Sequence, residues 1–282
     1  MSEVKNANIL LITGADGALG SYFYDGLKFS IDTLDVTNLT QVREVLNREH
    51  PQTIIHLAAI TDMALCEKDP NLAYRVNSIG TYHIALVARN IGAKVVYVSS
   101  NAVFDGKKKG PYSVKDTPYP VNIYGHSKYL GELAVLGMNA RNLVVRSSWI
   151  FGGGVERDKK LVGKVIAKLF VGESVQGVED VEGTPTYGKD LVGKLKQLVK
   201  DNISGVVHAV NGGKASRFDM IEVMKGVLHA TSEIKKVPLS SFPNIGNTLK
   251  NETLDAGVHT LRSWQEALKE YVETEWKHTI KN

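Results

Sequence analysis

The chain has 282 residues, 43% of them hydrophobic, with 34 Lys and Arg against 30 Asp and Glu and a formal net charge of +4. Such a length suits one large domain or a domain with a smaller lobe, and the apolar content excludes a disordered chain. Its single cysteine, Cys66, excludes an intramolecular disulfide and points to a reducing, cytoplasmic compartment. Basic residues are spread along the chain, without the interleaved aromatics expected of a nucleic-acid binder. Apolar stretches such as Ile54 to Ile60 are too short to span a bilayer, so neither nucleic acid nor membrane is expected as a partner.

In chain order, Asn8 to Thr13 (NILLIT) reads as a buried strand, followed at once by Gly14-Ala-Asp-Gly17-Ala-Leu-Gly20 and a helix expected over Ser21 to Leu27. Strand, glycine turn and helix together are the context of a dinucleotide fingerprint. In that fingerprint the turn approaches a pyrophosphate and the helix amino terminus offers it N–H donors. Only Lys28 to Leu34 remain for a second strand before Asp35-Val36, so no ribose selector can be read. Helices are predicted at Leu39 to Arg48, Pro70 to Asn90 (with Asp69 as N-cap), Ile123 to Leu136 and Gly188 to Asp201. Between them lie strands at Thr53 to Ala58, Lys94 to Ser99, Leu143 to Ser147 and Gly205 to Val210. Runs such as VVYVSS and LVVRSS do not alternate, as expected of parallel strands covered on both faces.

The pattern is α/β, a doubly wound parallel sheet. Beyond Trp149 it loosens into Gly152-Gly153-Gly154, Gly183 to Thr186 and Val237 to Pro243, with helices at Arg217 to Leu228 and Leu261 to Trp276. We therefore expect a dinucleotide domain of residues 1–147 plus about 160–200, and a smaller substrate lobe of about 148–159 plus 201–282. Lys107 to Lys109, between Gly106 and Gly110, reads as a solvated loop.

Tyr124 and Lys128 stand four residues apart at the start of a predicted helix and so share one face. An ammonium there would lower the phenol pKa from about 10 and ready it for proton transfer. Ser100, at the carboxyl end of the strand KVVYVSS, could add a hydroxyl that steadies a developing alkoxide. His56 and His208 lie in apolar strands and read as packed core residues, and Cys66 as an ordinary thiol. No His and Cys spacing suggests a metal site.

The motifs TGADGALG, HLAAIT, VSSNAVFDG and YGHSK resemble those of the extended short-chain dehydrogenase/reductases. With Pro111-Tyr112, VVRSSWIFGGG and VEGTPTYGKDL, the likeness is greatest to the dTDP-4-dehydrorhamnose reductases, from about Asn8 to Arg217-Phe218. That resemblance implies a Rossmann-type fold, a nucleotide-sugar substrate, a possible homodimer and NAD(H) or NADP(H), with NADP favoured. It implies reduction of the 4-keto group of a nucleotide-linked 6-deoxyhexose, with Tyr124 as proton donor and Ser100 and Lys128 beside it. Gly14, Gly17, Ala18, Leu19 and Gly20 would hold the pyrophosphate, Asp35 and Val36 the adenine, and Ala58, Ala59, Thr61, Asn77, Tyr124 and Lys128 the rest of the cofactor. Met63, Ser100, Asn101, Ala102, Tyr124 and Trp149 would face the substrate. The family usually has Ser-Thr-Asp-Tyr where this chain has Ser99-Ser100-Asn101-Ala102, and Val-Asp-x-x-Glu where it has Met63 to Glu67. The missing acid at Asn101 argues against the related sugar dehydratases. Two alternatives are a cofactor-binding regulatory subunit, similar to the methionine adenosyltransferase β subunit, and a nucleotide-sugar epimerase.

Overall fold

The computed structural model describes residues 9–242 and 249–277; Asn8 and Pro243, included in expected segments above, lie outside the described residues. Six parallel strands form the central sheet: β1 (Leu10–Thr13), β2 (Leu27–Phe29), β3 (Thr53–His56), β4 (Lys94–Ser100), β5 (Leu143–Ser147) and β6 (Gly205–His208). Their order is β6-β5-β4-β3-β1-β2. Successive side chains leave a strand on opposite faces, and here they enter two separate cores. Leu11, Ile54, Val95 and Val144 pack with Val42, Leu46 and Ile84 from the helices Leu39–Glu49 and Thr81–Asn90. Ile12, Ile55, Val96 and Val145 pack with Leu191 and Leu195 of Gly188–Lys200 and Val165 of Leu161–Phe170. The sheet is thus covered on both faces, as its unbroken apolar strands predict.

Two expectations are corrected. The helix predicted over Ser21 to Leu27 is a single 3-10 turn, Gly20–Tyr22, and the chain enters β2 at Leu27. Only Ser21 to Gly26 separate Gly20 from β2, fewer than two helical turns, with nothing left over to return to the sheet edge. This short segment is held from the far end of the chain: the Tyr22 hydroxyl accepts the Gly153 N–H at 2.6 Å and donates to Glu275 at 2.8 Å. Strand β6 belongs to the central sheet, paired with β5, although residues 201–282 were expected in the smaller lobe. Its run GVVH is one more apolar strand and finds its hydrogen bonds along β5.

The predicted helix over 70–90 forms as Pro70–Tyr74, a π-helical stretch Arg75–Gly80 and Thr81–Asn90, with the Asp69 carboxylate capping Leu72 N–H at 2.9 Å. Beyond the sheet, Val175–Val178 pairs with Ile234–Val237, and Glu182–Gly183 lies between Ala215–Ser216 and Asn251–Glu252. The helices Arg217–Leu228 and Trp264–Tyr271 each open on a capping box, from Ser216 and Ser263. No helix among the described residues is long and apolar enough to cross a membrane.

Beneath the helix Ile123–Met138, Glu132 is buried and bonded by Arg146 through two contacts of 2.9 and 2.7 Å and by the Ser99 hydroxyl. A buried ion pair is costly to break on one side, because the remaining charge stays desolvated. We expect Arg146→Leu to lower the unfolding free energy by about 3–5 kcal/mol in urea titrations. The Glu132→Leu/Arg146→Leu double variant should recover most of that loss, and equal destabilisation of both variants would contradict the account.

Candidate active site

The loops after β1 and β3 meet where the strand order reverses, which is where open α/β sheets bind ligands. Gly14 has φ +64°, and a Cβ there would lie 2.7 Å from the Ala58 nitrogen, so glycine keeps open a cradle that any side chain would fill. The Thr13 hydroxyl accepts the N–H groups of Leu57 and Ala58 at 3.2 and 3.3 Å, tying the second loop to the first. Among the described residues, the N–H groups of Asp16, Ala18 and Leu19 have no protein partner. Loop amides thus replace the missing helix as donors for an anion. Asp35 is occupied locally, accepting from the N–H and hydroxyl of Thr37, while Val36 is buried and its carbonyl meets His83 Nδ1 at 3.0 Å.

Asn77, in the π-helical stretch, joins the cofactor side to the catalytic side. Its Oδ1 accepts Ile60 N–H at 2.8 Å, and its Nδ2 donates to the Ile60 carbonyl and the Ser127 hydroxyl, each at 2.9 Å. The loop carrying Ala58, Ala59 and Thr61 is thereby fixed against the helix carrying Tyr124. Asn77 is completely buried.

The Tyr124 helix is tied at its start, with the Asn122 side chain accepting Gly125 N–H at 2.7 Å and Glu67 accepting Ile123 N–H at 2.9 Å. Glu67 is the acid kept from the altered Met63 to Glu67 segment. A Cβ at Gly125 would stand 2.0 Å from the Ala102 carbonyl oxygen, a contact that sets the helix hard against the end of β4. Ala102 is buried beneath this helix, beside the equally buried Ser100 and Asn101. Tyr124 is half-buried, with its phenol facing Ser100.

Lys128 is engaged by β4. Its ammonium donates to the Val98 carbonyl at 2.8 Å and sits 4.1 Å above the centre of the Tyr97 ring. Burial pushes the Tyr124 phenol up to about 12, with Ser100 opposing and Cys66 and Glu252 adding to the rise. Burial also pushes Lys128 down to about 7, with Glu132 opposing. Desolvation exceeds the attraction that the helical spacing suggested.

On the substrate side, Trp149 is half-buried and holds a φ of +43°, rare for a bulky residue. Met63 is half-buried at the start of the helix Met63–Lys68. Asn101 Nδ2 donates to Glu252 Oε2 at 2.7 Å, while Asn101 Oδ1 accepts from the Ser100 hydroxyl at 3.2 Å. The acid missing at position 101 therefore returns from the far lobe, which removes the argument against an acidic site drawn from Asn101. No local signal marks Glu252; it lies 151 residues from its partner. Cys66 is buried with its thiol pushed up to about 11 by burial, an unreactive state. His56 bonds Thr13 at 2.7 Å and Thr81 at 3.0 Å and is held neutral by burial, and His208 is likewise buried, as core residues should be.

The sheet, its glycine turn at the switch point and the Ser100, Tyr124 and Lys128 cluster above the strand ends define the class of doubly wound dinucleotide-binding proteins. Residues 8–276 match the family described as RmlD substrate binding domain, and the chain belongs to that family. A dTDP-4-dehydrorhamnose reductase of Mycobacterium tuberculosis is 32% identical over 92% of this chain and 90% of its own length. A dTDP-4-keto-6-deoxy-D-glucose reductase of Streptomyces niveus is 30% identical over 92% of this chain and 94% of its own. The crystal structure of dTDP-4-dehydrorhamnose reductase from Bacillus anthracis in complex with NADP superposes with a TM-score of 0.89 at 31% identity, covering 95% of this chain and 99% of that one. The residues here fit such a dinucleotide, with the open Gly14 cradle and three unpartnered amides on one side and the buried Lys128 ammonium on the other.

Gly125→Ala should force the Tyr124 helix off β4. We expect a loss of about 1–3 kcal/mol in chemical unfolding. A variant as stable as the parent would show that the helix docks without this close approach.

Proposed function

We propose that this chain is an NADP(H)-dependent reductase of the 4-keto group of a dTDP-linked 6-deoxyhexose, of the dTDP-4-dehydrorhamnose reductase type. The observation that carries the reading is the Tyr124 phenol facing Ser100 at the end of β4, next to the glycine crevice. The cofactor supplies hydride to the carbonyl carbon. Tyr124 gives its phenolic proton to the carbonyl oxygen, and the Ser100 hydroxyl steadies the oxygen as charge develops, leaving an alcohol and a phenolate. A phenol held protonated through neutral pH is already in the state this step consumes. Lys128, when charged, would favour the phenolate left behind and could donate to a ribose hydroxyl. The choice of NADP follows the Bacillus anthracis relative, and the single buried cysteine suits a cytoplasmic setting.

Purified protein with NADPH and a dTDP-4-keto-6-deoxyhexose should consume the cofactor, followed by the fall in absorbance of the reduced nicotinamide. Tyr124→Phe should lower kcat about 100-fold or more while NADPH titration still shows binding. Full turnover in that variant would sink the mechanism. Lys128 is charged below about pH 7 and neutral above it, so kcat/KM for reduction should fall as pH rises through about 7. Lys128→Arg, charged throughout, should lack that limb; a limb that persists unchanged would assign it to another group.

A further inference from the structure

Glu252 is held in place on all sides. Its strand pairs with Glu182–Gly183, and its carbonyl accepts the Ser148 hydroxyl at 2.9 Å. Trp149 lies against Gly183, where a Cβ would meet its indole at 2.2 Å, and the Arg217 guanidinium stacks 4.8 Å from the centre of the indole. The Trp149 Nε1–H is buried without a hydrogen bond of ordinary geometry and faces the Glu252 carboxylate. One carboxylate oxygen is taken by Asn101, whose amide is thereby oriented with its oxygen toward Ser100. An ionised carboxylate only accepts hydrogen bonds, and Glu252 is half-buried, so its second oxygen has lone pairs to offer a hydroxyl from the crevice. Burial pushes the Glu252 carboxyl above its ordinary range, with Arg217, Trp149 and Asn101 opposing.

We propose that Glu252 contacts the substrate and sets its specificity: anchored through Asn101 beside Ser100 and Tyr124, it accepts the ring hydroxyl adjacent to the reacting carbonyl. The proposal rests on the nucleotide-sugar reading above. In a 4-keto-6-deoxyhexose the neighbouring carbon 5 bears the methyl group, so the hydroxyl is the one on carbon 3. A sugar lacking it would leave a desolvated carboxylate without its donor, and sites built around a polar contact reject such analogues strongly.

Calorimetric titration of NADP-loaded protein with dTDP-glucose and with dTDP-3-deoxyglucose reads this contact without turnover, because neither ligand has a ketone to reduce. The parent should bind the 3-hydroxyl sugar about tenfold or more tightly than its deoxy counterpart. Glu252→Gln, equal in shape, should bind the two alike. Asn101→Asp, which sets two carboxylates together, should weaken dTDP-glucose, and Asn101→Asp/Glu252→Gln, which moves the acid by one residue, should regain affinity and discrimination. Undiminished discrimination in Glu252→Gln would overturn the proposal, as would a double variant no better than Asn101→Asp, or a parent that binds neither sugar. Glu252-dependent discrimination in a protein that turns over no keto sugar would leave this assignment standing and overturn the reductase reading.

Discussion

At two glycines the Tyr124 helix comes too close to β4 and the turn that follows it for any side chain to fit. At Gly125 the helix touches the Ala102 carbonyl, and at Gly131 a Cβ would meet the Tyr97 hydroxyl at 2.6 Å. Each later feature of the site follows from that approach. Tyr124 faces Ser100, and Lys128 is driven under the helix, where its ammonium bonds the Val98 carbonyl and lies over Tyr97. Glu132, one turn further on, is carried into the interior and requires Arg146. Close packing creates the charges' isolation, and the isolation sets their protonation.

The shortened segment after the glycine turn places a different demand on the fold. Without a helix to cover the edge of the sheet, Phe23 enters the core, and Tyr22 and Tyr187 both bond Glu275. Burial and the Glu275 charge push both phenols upward, so each remains a donor to that carboxylate. The dinucleotide side of the crevice is therefore braced by residues from near the other end of the chain. Its amides, rather than a helix dipole, remain to meet an anion.

Much of this was legible in the chain. Short apolar runs marked five of the six central strands, and Asp69-Pro70 marked a helix start, because burial on two faces and capping leave local traces. The helix after Gly20 was misread because a glycine fingerprint implies its usual sequel, while the length that forbids it shows only once β2 is placed. Strand β6 read as a strand, but nothing in GVVH says which sheet it will join. Glu252 gave no trace, since a glutamate between Asn251 and Thr253 resembles any solvated residue.

The sequence by itself determined the alternation of strands and helices, the glycine turn and the order of Ser100, Tyr124 and Lys128, because these depend on spacing along the backbone. The tertiary structure decided the state of those groups. Lys128 was four residues from Tyr124 in either description, yet burial and the Val98 carbonyl govern its charge. It also decided which acid stands beside Ser100, by bringing Glu252 to Asn101 across 151 positions. Desolvation and long-range pairing depend on what surrounds a residue in space, and neighbours in sequence do not supply that.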